Sequence, residues 1–188
     1  LGVYVWNAIR ALEVVQLLKL RRPELLVVLG GPEVSHEWEQ QAIVHLADYT
    51  VCGEGEAAFR ELCEALVSGQ RPEGQVIHGD TPPLTELQMP YRLYTDEDLA
   101  HRVIYVEASR GCPYGCQFCL SSLDKGVRMV PMEAFFGELE RLLDRGARDF
   151  KFIDRTFNLR IQDSAAILRF FLERYRPGMS LHFEMVPD

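Results

Sequence analysis

No stretch of the 188-residue sequence approaches the ~18 consecutive apolar residues that a membrane-spanning helix needs. The opening LGVYVWNAIR lacks the charged-then-apolar layout of a signal peptide, which predicts a cytoplasmic protein. Basic residues are also in deficit. Twenty Lys and Arg face 28 Asp and Glu for a net charge of -8, so the overall field repels polyanions and argues against sequence-independent nucleic-acid binding. A second cysteine pair is missing too: of five cysteines, three crowd into CPYGCQFC while Cys52 and Cys63 lie far upstream. An odd, clustered set is not the disulfide framework of a secreted protein. What remains, 47% hydrophobic and 26% charged, belongs to a chain able to bury a core. It opens on Leu1 rather than an initiator Met and stops at Asp188 directly after the strand-like SLHFEMV, which reads as a segment of a longer protein.

Short β-branched runs alternate with stretches of helical spacing, the pattern of repeated β-α units around a parallel sheet. LGVYVW (1–6) predicts a strand, and residues 9–20 a helix with Ala11, Val14, Val15 and Leu18 on one face. LLVVL (25–29) predicts a strand covered on both faces, and it runs into Gly30, Gly31 and Pro32. A helix over 37–46, a strand over 49–52, the loop Gly53-Glu54-Gly55-Glu56, a helix over 57–67 and a strand in QVIHG (75–79) complete a first unit, 1–79. Residues 80–101 hold three prolines and little periodicity, and predict a linker. A second series over 102–188 follows: a strand at 103–109, the cysteine loop, a helix over 131–144 opened by Pro131 and closed by Gly146, a strand at 149–154, a helix over 164–175 and a strand at 180–186.

Cys112, Cys116 and Cys119 are separated by three residues and then two, directly after a strand, with Gly111 and Gly115 allowing tight curvature. Three thiolates at such spacing suit an iron-sulfur cluster with one iron left open, since no fourth cysteine follows. Structural zinc requires four closed ligands, and the missing pair disfavours it. Buried structural cysteines would need neither the glycines nor the clustering.

EASRGCPYGCQFCLSS resembles the signature of the radical S-adenosylmethionine (SAM) superfamily, where such a loop follows the first strand of a partial (β/α) barrel. The resemblance implies a [4Fe-4S] cluster on Cys112, Cys116 and Cys119, with SAM chelating the fourth iron through its amino and carboxylate groups. It also implies an electron donor such as flavodoxin or ferredoxin, and a reductive cleavage of SAM to methionine and a 5'-deoxyadenosyl radical. Phe118 has two readings, packing in the core or, by resemblance, contact with the adenine. Asp154, in FIDRTFN with Arg155, Thr156 and Asn158, likewise either caps a turn or accepts from the SAM amino group. The stretch has no Gly-Gly-Glu there.

GGPEVS (30–35) and CGEGEAAF (52–59), each after a strand, are similar to loops of the cobalamin-binding domain that precedes the barrel in many of these enzymes. Glycines at the carboxyl ends of parallel strands let a bulky ring approach the backbone, so Gly30, Gly31, Pro32, Gly53, Glu54, Gly55 and Glu56 are the candidate cobalamin contacts. An Asp-x-His-x-x-Gly segment, which supplies an axial His in some cobalamin folds, is absent from the sequence. The fold expected is α/β: part of a Rossmann-like cobalamin-binding domain, then the first half of a radical SAM barrel. LSSLDKG and DRTFN place the likeness closest to cobalamin-type radical SAM proteins, and methyl transfer or radical rearrangement on a small-molecule or peptide substrate is the activity implied. Two rivals stand beside it. A methylthiotransferase acting on RNA should carry a further upstream cysteine triad, and a non-catalytic iron-sulfur or cobalamin carrier would bind the same groups without turning over SAM. Trp6, at the end of the first strand, is either core or a rest for a flat ligand, and His182 and Glu184 alternate along the last strand so as to share a face.

Overall fold

The computed structural model describes residues 1–123 and 126–187; Asp124 and Lys125 of the LSSLDKG stretch, and Asp188, lie outside the described residues. Among the described residues no helix is long and apolar enough to cross a membrane. The chain forms two compact units, Leu1–Pro82 and Pro83–Asp188.

In the first unit a three-stranded parallel sheet runs β1 (Val28–Gly30), β2 (Tyr49–Cys52), β3 (Val76–His78), in that spatial order. β2 has a partner on each side, and all four of its residues are buried. The helices α1 (Ala8–Arg21) and α4 (Glu56–Val67) follow the expected spacing, and Ala11, Val15, Ala58 and Leu62 are their buried residues. Val14, expected on the same face as Ala11, is exposed. Three other expectations change. The strand expected over 1–6 shrinks to a bridge between Gly2 and Gly30, because the chain turns at Tyr4, whose N–H is taken by Asn7 Oδ1 at 2.8 Å. The doubly covered strand expected at 25–29 begins only at Val28, and Leu25 is exposed. The helix expected over 37–46 becomes a 3-10 turn (Trp38–Gln40) and α3 (Ala42–Leu46), parted at Gln41 by extended backbone (φ -89°, ψ 107°), and a short α2 (Pro32–Ser35) precedes them, separated by Glu37 with its left-handed φ of 49°.

The second unit holds the parallel sheet β4 (Ile104–Val106), β7 (Asp149–Phe152), β8 (Ser180–His182), with β7 central, and a two-stranded antiparallel pair, β5 (Ser109–Arg110) with β6 (Arg128–Met129). The helices α6 (Met132–Asp144) and α7 (Ile161–Glu173) contribute to a core rich in phenylalanine: Phe135, Phe150, Phe152 and Phe171 are almost wholly buried and meet edge to face, as with Phe135 and Phe152 at 6.2 Å. α6 ends as expected, with Gly146 at φ 98°. The strand expected at 103–109 is interrupted at Glu107 and Ala108, and the one expected at 180–186 ends at His182.

Residues 80–101, expected as a linker, carry structure instead. A 3-10 turn (Pro90–Leu93) leads into α5 (Asp96–His101), started by a capping box between Thr95 and Asp98, and Tyr91 and Leu99 enter the second unit's core. Arg145, at the end of α6, ties the segment down by donating to Asp96 Oδ1 and to the Tyr94 carbonyl, both at 2.7 Å. Two tyrosine hydroxyls also close the edge of β4 that β7 does not use. The Tyr91 hydroxyl accepts from the Glu107 N–H (2.9 Å) and donates to the Glu107 carbonyl (3.3 Å), and Tyr94 does the same for Tyr105 (3.1 and 3.3 Å). A sheet edge left open is a liability, and here two side chains take the place of a strand.

Removing the buried hydroxyl in Tyr91→Phe leaves both backbone groups of Glu107 without it, at an expected cost of about 1–3 kcal/mol in denaturant unfolding. Tyr94→Phe, at a half-buried position whose hydroxyl bonds are nearer solvent, is expected to cost less.

Candidate functional site

Two regions collect the predicted residues, one per unit, and each lies at the carboxyl ends of its parallel strands. In the first unit, Gly30, Gly31, Gly53, Gly55 and Glu56 line a cleft of about 340 Å³ together with Leu1, Gly2, Val51 and Phe59. Pro32 stands outside this lining, at the start of α2, and Glu54 also lies outside it.

The four glycines are there for different reasons. Gly31 has φ 113° and ψ 168°, a conformation essentially restricted to glycine, and a Cβ on it would sit 2.5 Å from the Val3 carbonyl. Gly53 has φ 80°. These two are demanded by the chain itself. Gly30 and Gly55 have no positive φ, and the nearest atom to an added Cβ is an ordinary 3.6 Å away. Nothing in the surrounding protein requires glycine at either, so the open space they leave belongs to the cleft, a cradle that a Cβ would partly fill. Gly79 was not singled out from the sequence: its Cβ would lie 1.9 Å from the Glu54 carbonyl, so it lets the 53–56 loop pass. Its one signal was a glycine directly after a strand.

Trp6 is not core. It is 76% exposed and stacks on Tyr4 with ring centroids 4.6 Å apart. Cys52 is buried in β2, where its thiol donates to the Val34 carbonyl at 3.2 Å and burial pushes its pKa up, so it serves packing.

In the second unit the cysteine loop leaves β5 and returns at β6. Gly111, with φ 97°, passes so close to Gly126 that a Cβ would fall 1.7 Å from its carbonyl oxygen. Cys116 and Cys119 share a tight turn, the Cys119 N–H donating to the Cys116 carbonyl at 3.0 Å. Cys112 is buried, Cys119 half-buried and Cys116 exposed. Among the described residues no three Cys, His, Asp or Glu side chains converge as a metal site, so one loop supplies the three thiols without gathering them. The donor set itself, three thiols in one loop, has the chemistry an iron-sulfur cluster requires. Phe118 is 94% exposed, which removes the core-packing reading.

Asp154 lies in the interior of the second unit. It is 1% exposed, and its carboxylate accepts from the Ala108 N–H (3.0 Å) and the Ser109 hydroxyl (2.6 Å). Burial pushes its pKa up, and hydrogen bonds from the Ser109 hydroxyl and from the backbone at Ala108, Ser109 and Asp154 pull it back. In this fold it holds the backbone at Ala108 and Ser109. Asn158 is structural as well, pairing both backbone groups of Val186 at 2.8 and 3.0 Å. Glu184 lies 3.7 Å from Arg155 in a partly exposed ion pair, and its backbone carbonyl accepts from the Phe157 N–H.

A scan against models of protein families returns no match. Among curated proteins the chain is 31% identical over 190 residues to the 2-(S-pantetheinyl)-carbapenam-3-carboxylate methyltransferase of Streptantibioticus cattleyicolor, covering 87% of this chain and 28% of the relative. It is 29% identical over 194 residues to the cobalamin-dependent radical SAM methyltransferase TokK of Streptomyces tokunonensis, with the same coverage of 87% and 28%. A solved structure of the radical SAM methyltransferase TsrM of Kitasatospora setae, with cobalamin and a [4Fe-4S] cluster bound, superposes with a TM-score of 0.62 at 21% identity, over 89% of this chain and 37% of that one. The chain thus spans a little over a quarter of the length of these two curated relatives.

The fold and the cysteine loop define an α/β protein of two parallel-sheet units, the second carrying a three-cysteine loop. More particularly, the sequence matches make the chain a relative of cobalamin-dependent radical SAM methyltransferases such as TokK, of which it spans 28%.

Gly31→Ala is expected to lose about 1–3 kcal/mol of stability, because alanine must adopt a glycine-only conformation. Gly30→Ala is expected to match or slightly exceed wild type by up to about 1 kcal/mol, through the stiffer unfolded chain. Thermal unfolding of both variants side by side checks the distinction.

Proposed function

We propose that this chain forms the cobalamin-binding and cluster-binding part of a radical SAM methyltransferase. The observation that carries the reading is the occurrence of CPYGCQFC beyond a parallel sheet in one unit and of a glycine-lined cleft at the strand ends of the other, in a chain related over 87% of its length to two methyltransferases, one of them the cobalamin-dependent radical SAM enzyme TokK. Cys112, Cys116 and Cys119 would hold a [4Fe-4S] cluster as thiolates and leave one position for SAM. Gly30 and Gly55 would give a cobalamin room against the backbone, with Glu56 and Phe59 on the same wall. When bound, the cluster supplies an electron, cobalamin a methyl carrier and SAM the methyl source. The protein's own part is to present three thiols from one loop, keep the cleft open, and offer exposed faces such as Phe118 to the adenine and Trp6 to a flat ring.

An external reductant, flavodoxin or ferredoxin, fits this reading, and the substrate is a small molecule or peptide. The RNA methylthiotransferase alternative finds no support in the upstream cysteines, since Cys52 is buried in β2 and Cys63 lies in α4.

After anaerobic reconstitution, Cys112→Ala, Cys116→Ala and Cys119→Ala are each expected to lose the cluster, read as iron and sulfide per chain, whereas Cys52→Ala and Cys63→Ala retain it. Full iron content in the triple variant rules out the assignment. SAM is expected to change the electron paramagnetic resonance (EPR) signal of the reduced cluster; a signal that SAM leaves untouched favours a non-catalytic carrier.

Hydroxocobalamin titration of Gly30→Ala/Gly55→Ala is expected to show affinity about tenfold weaker, in line with the ~1–3 kcal/mol cost of overfilling a fitted space. Unchanged affinity in a folded double variant returns these glycines to plain turns.

A further inference from the structure

The cysteine loop hangs on a neck of only two paired residues per side, Ser109 with Met129 and Arg110 with Arg128. A two-stranded pair this short has little stability of its own, so its position depends on what anchors it. The anchor is at Ala108, where the backbone has left β4 and not yet entered β5. Its N–H donates to Asp154 Oδ2 at 3.0 Å, its carbonyl accepts from the Val130 N–H at 3.0 Å, and the next residue, Ser109, donates its hydroxyl to Asp154 Oδ1 at 2.6 Å. Entry and exit of the loop thus meet at one residue, and that residue is held by a carboxylate standing just past the end of β7, the central strand of the sheet.

We propose that Asp154 is a positioning residue for the cluster loop, fixing Ala108 and Ser109 so that the chain enters Cys112 at a set point. The proposal rests on the reading of Cys112, Cys116 and Cys119 as cluster ligands. Three observations favour it over direct contact with a ligand. Each carboxylate oxygen already accepts a hydrogen bond from the loop's base. The residue is 1% exposed. The hollow beside it, about 10 Å³ and lined also by Thr156 and Ser164, has room for no more than a water-sized body. A buried carboxylate is costly unless its hydrogen bonds are made, and two donors converging on it form strong, charge-assisted bonds. The Glu107–Arg110 ion pair at 2.9 Å spans the same bend, but both side chains are about a quarter exposed, so solvent weakens its hold.

The test uses Asp154→Ala, Asp154→Asn and Ser109→Ala in the whole chain, with circular dichroism confirming the fold. In the metal-free protein, iodoacetamide labelling followed by peptide mass spectrometry is expected to find buried Cys112 slow and exposed Cys116 fast. Asp154→Ala raises the Cys112 rate by about tenfold or more, the factor carried by a buried hydrogen bond to a charged group. Asp154→Asn stays near wild type, because the amide still accepts from the Ala108 N–H and can donate to the Ser109 oxygen. Ser109→Ala, which removes one bond and leaves the carboxylate, falls between them and decides the matter if Asp154→Ala does not fold. In reconstituted protein, Asp154→Ala is expected to lose iron or broaden the EPR signal, and Asp154→Asn to restore both. Unchanged Cys112 labelling in both Asp154→Ala and Ser109→Ala overturns the proposal, as does an Asp154→Asn variant that keeps its cluster and slow Cys112 but no longer responds to SAM, which would make the carboxylate a ligand contact. A wild-type chain that takes up no iron overturns the cluster reading instead, and the labelling contrast then decides the positioning by itself.

Discussion

Ala108 is held from both sides, its N–H by the Asp154 carboxylate and its carbonyl by Val130, and the second unit is arranged around that point. β4 can end there because Asp154 receives the backbone that leaves the sheet. β5 and β6 can pair over only two residues because their shared base is already placed. The phenylalanine core beneath, with Phe150 and Phe152 on β7, keeps the central strand still, and so keeps the carboxylate where Ala108 and Ser109 need it.

The same reasoning explains the edge of β4. Its outer backbone groups at Tyr105 and Glu107 are answered by the hydroxyls of Tyr94 and Tyr91 rather than by a strand, so the segment entering the second unit also completes the sheet. Glu107 connects the two devices: Tyr91 holds its backbone, its side chain pairs with Arg110, and the cysteine loop begins directly after Arg110. Order at the loop's base is thus distributed over side chains from before β4, from just after β4 and from just past the end of β7.

In the first unit the constraint is space rather than hydrogen bonding. Glycine is required at position 31 by backbone geometry and at position 79 by the passage of a neighbouring loop, but at positions 30 and 55 only the cleft benefits from it. The cleft is opened in this way, by withholding side chains at strand ends where parallel sheets leave an opening.

By itself the sequence determined the order of elements, since β-α alternation and helical periodicity are local and survive in any context. It also determined the donor set, because Cys112, Cys116 and Cys119 are close in the chain whatever the fold. The tertiary structure decided the rest. Asp154 and Ala108 are 46 residues apart, and no spacing rule joins a carboxylate to a backbone N–H at that distance. Residues 80–101 carry prolines and weak periodicity, so their local signal is that of a linker; only the presence of an unpaired strand edge gives Tyr91 and Tyr94 their place. The glycines of GGPEVS and CGEGEAAF look alike in the sequence, and only the positions of Val3, Val51 and Gly79 around them separate those the backbone demands from those the cleft uses. Local pattern is read along the chain, whereas burial, free volume and long-range hydrogen bonds exist only once distant residues have been brought together.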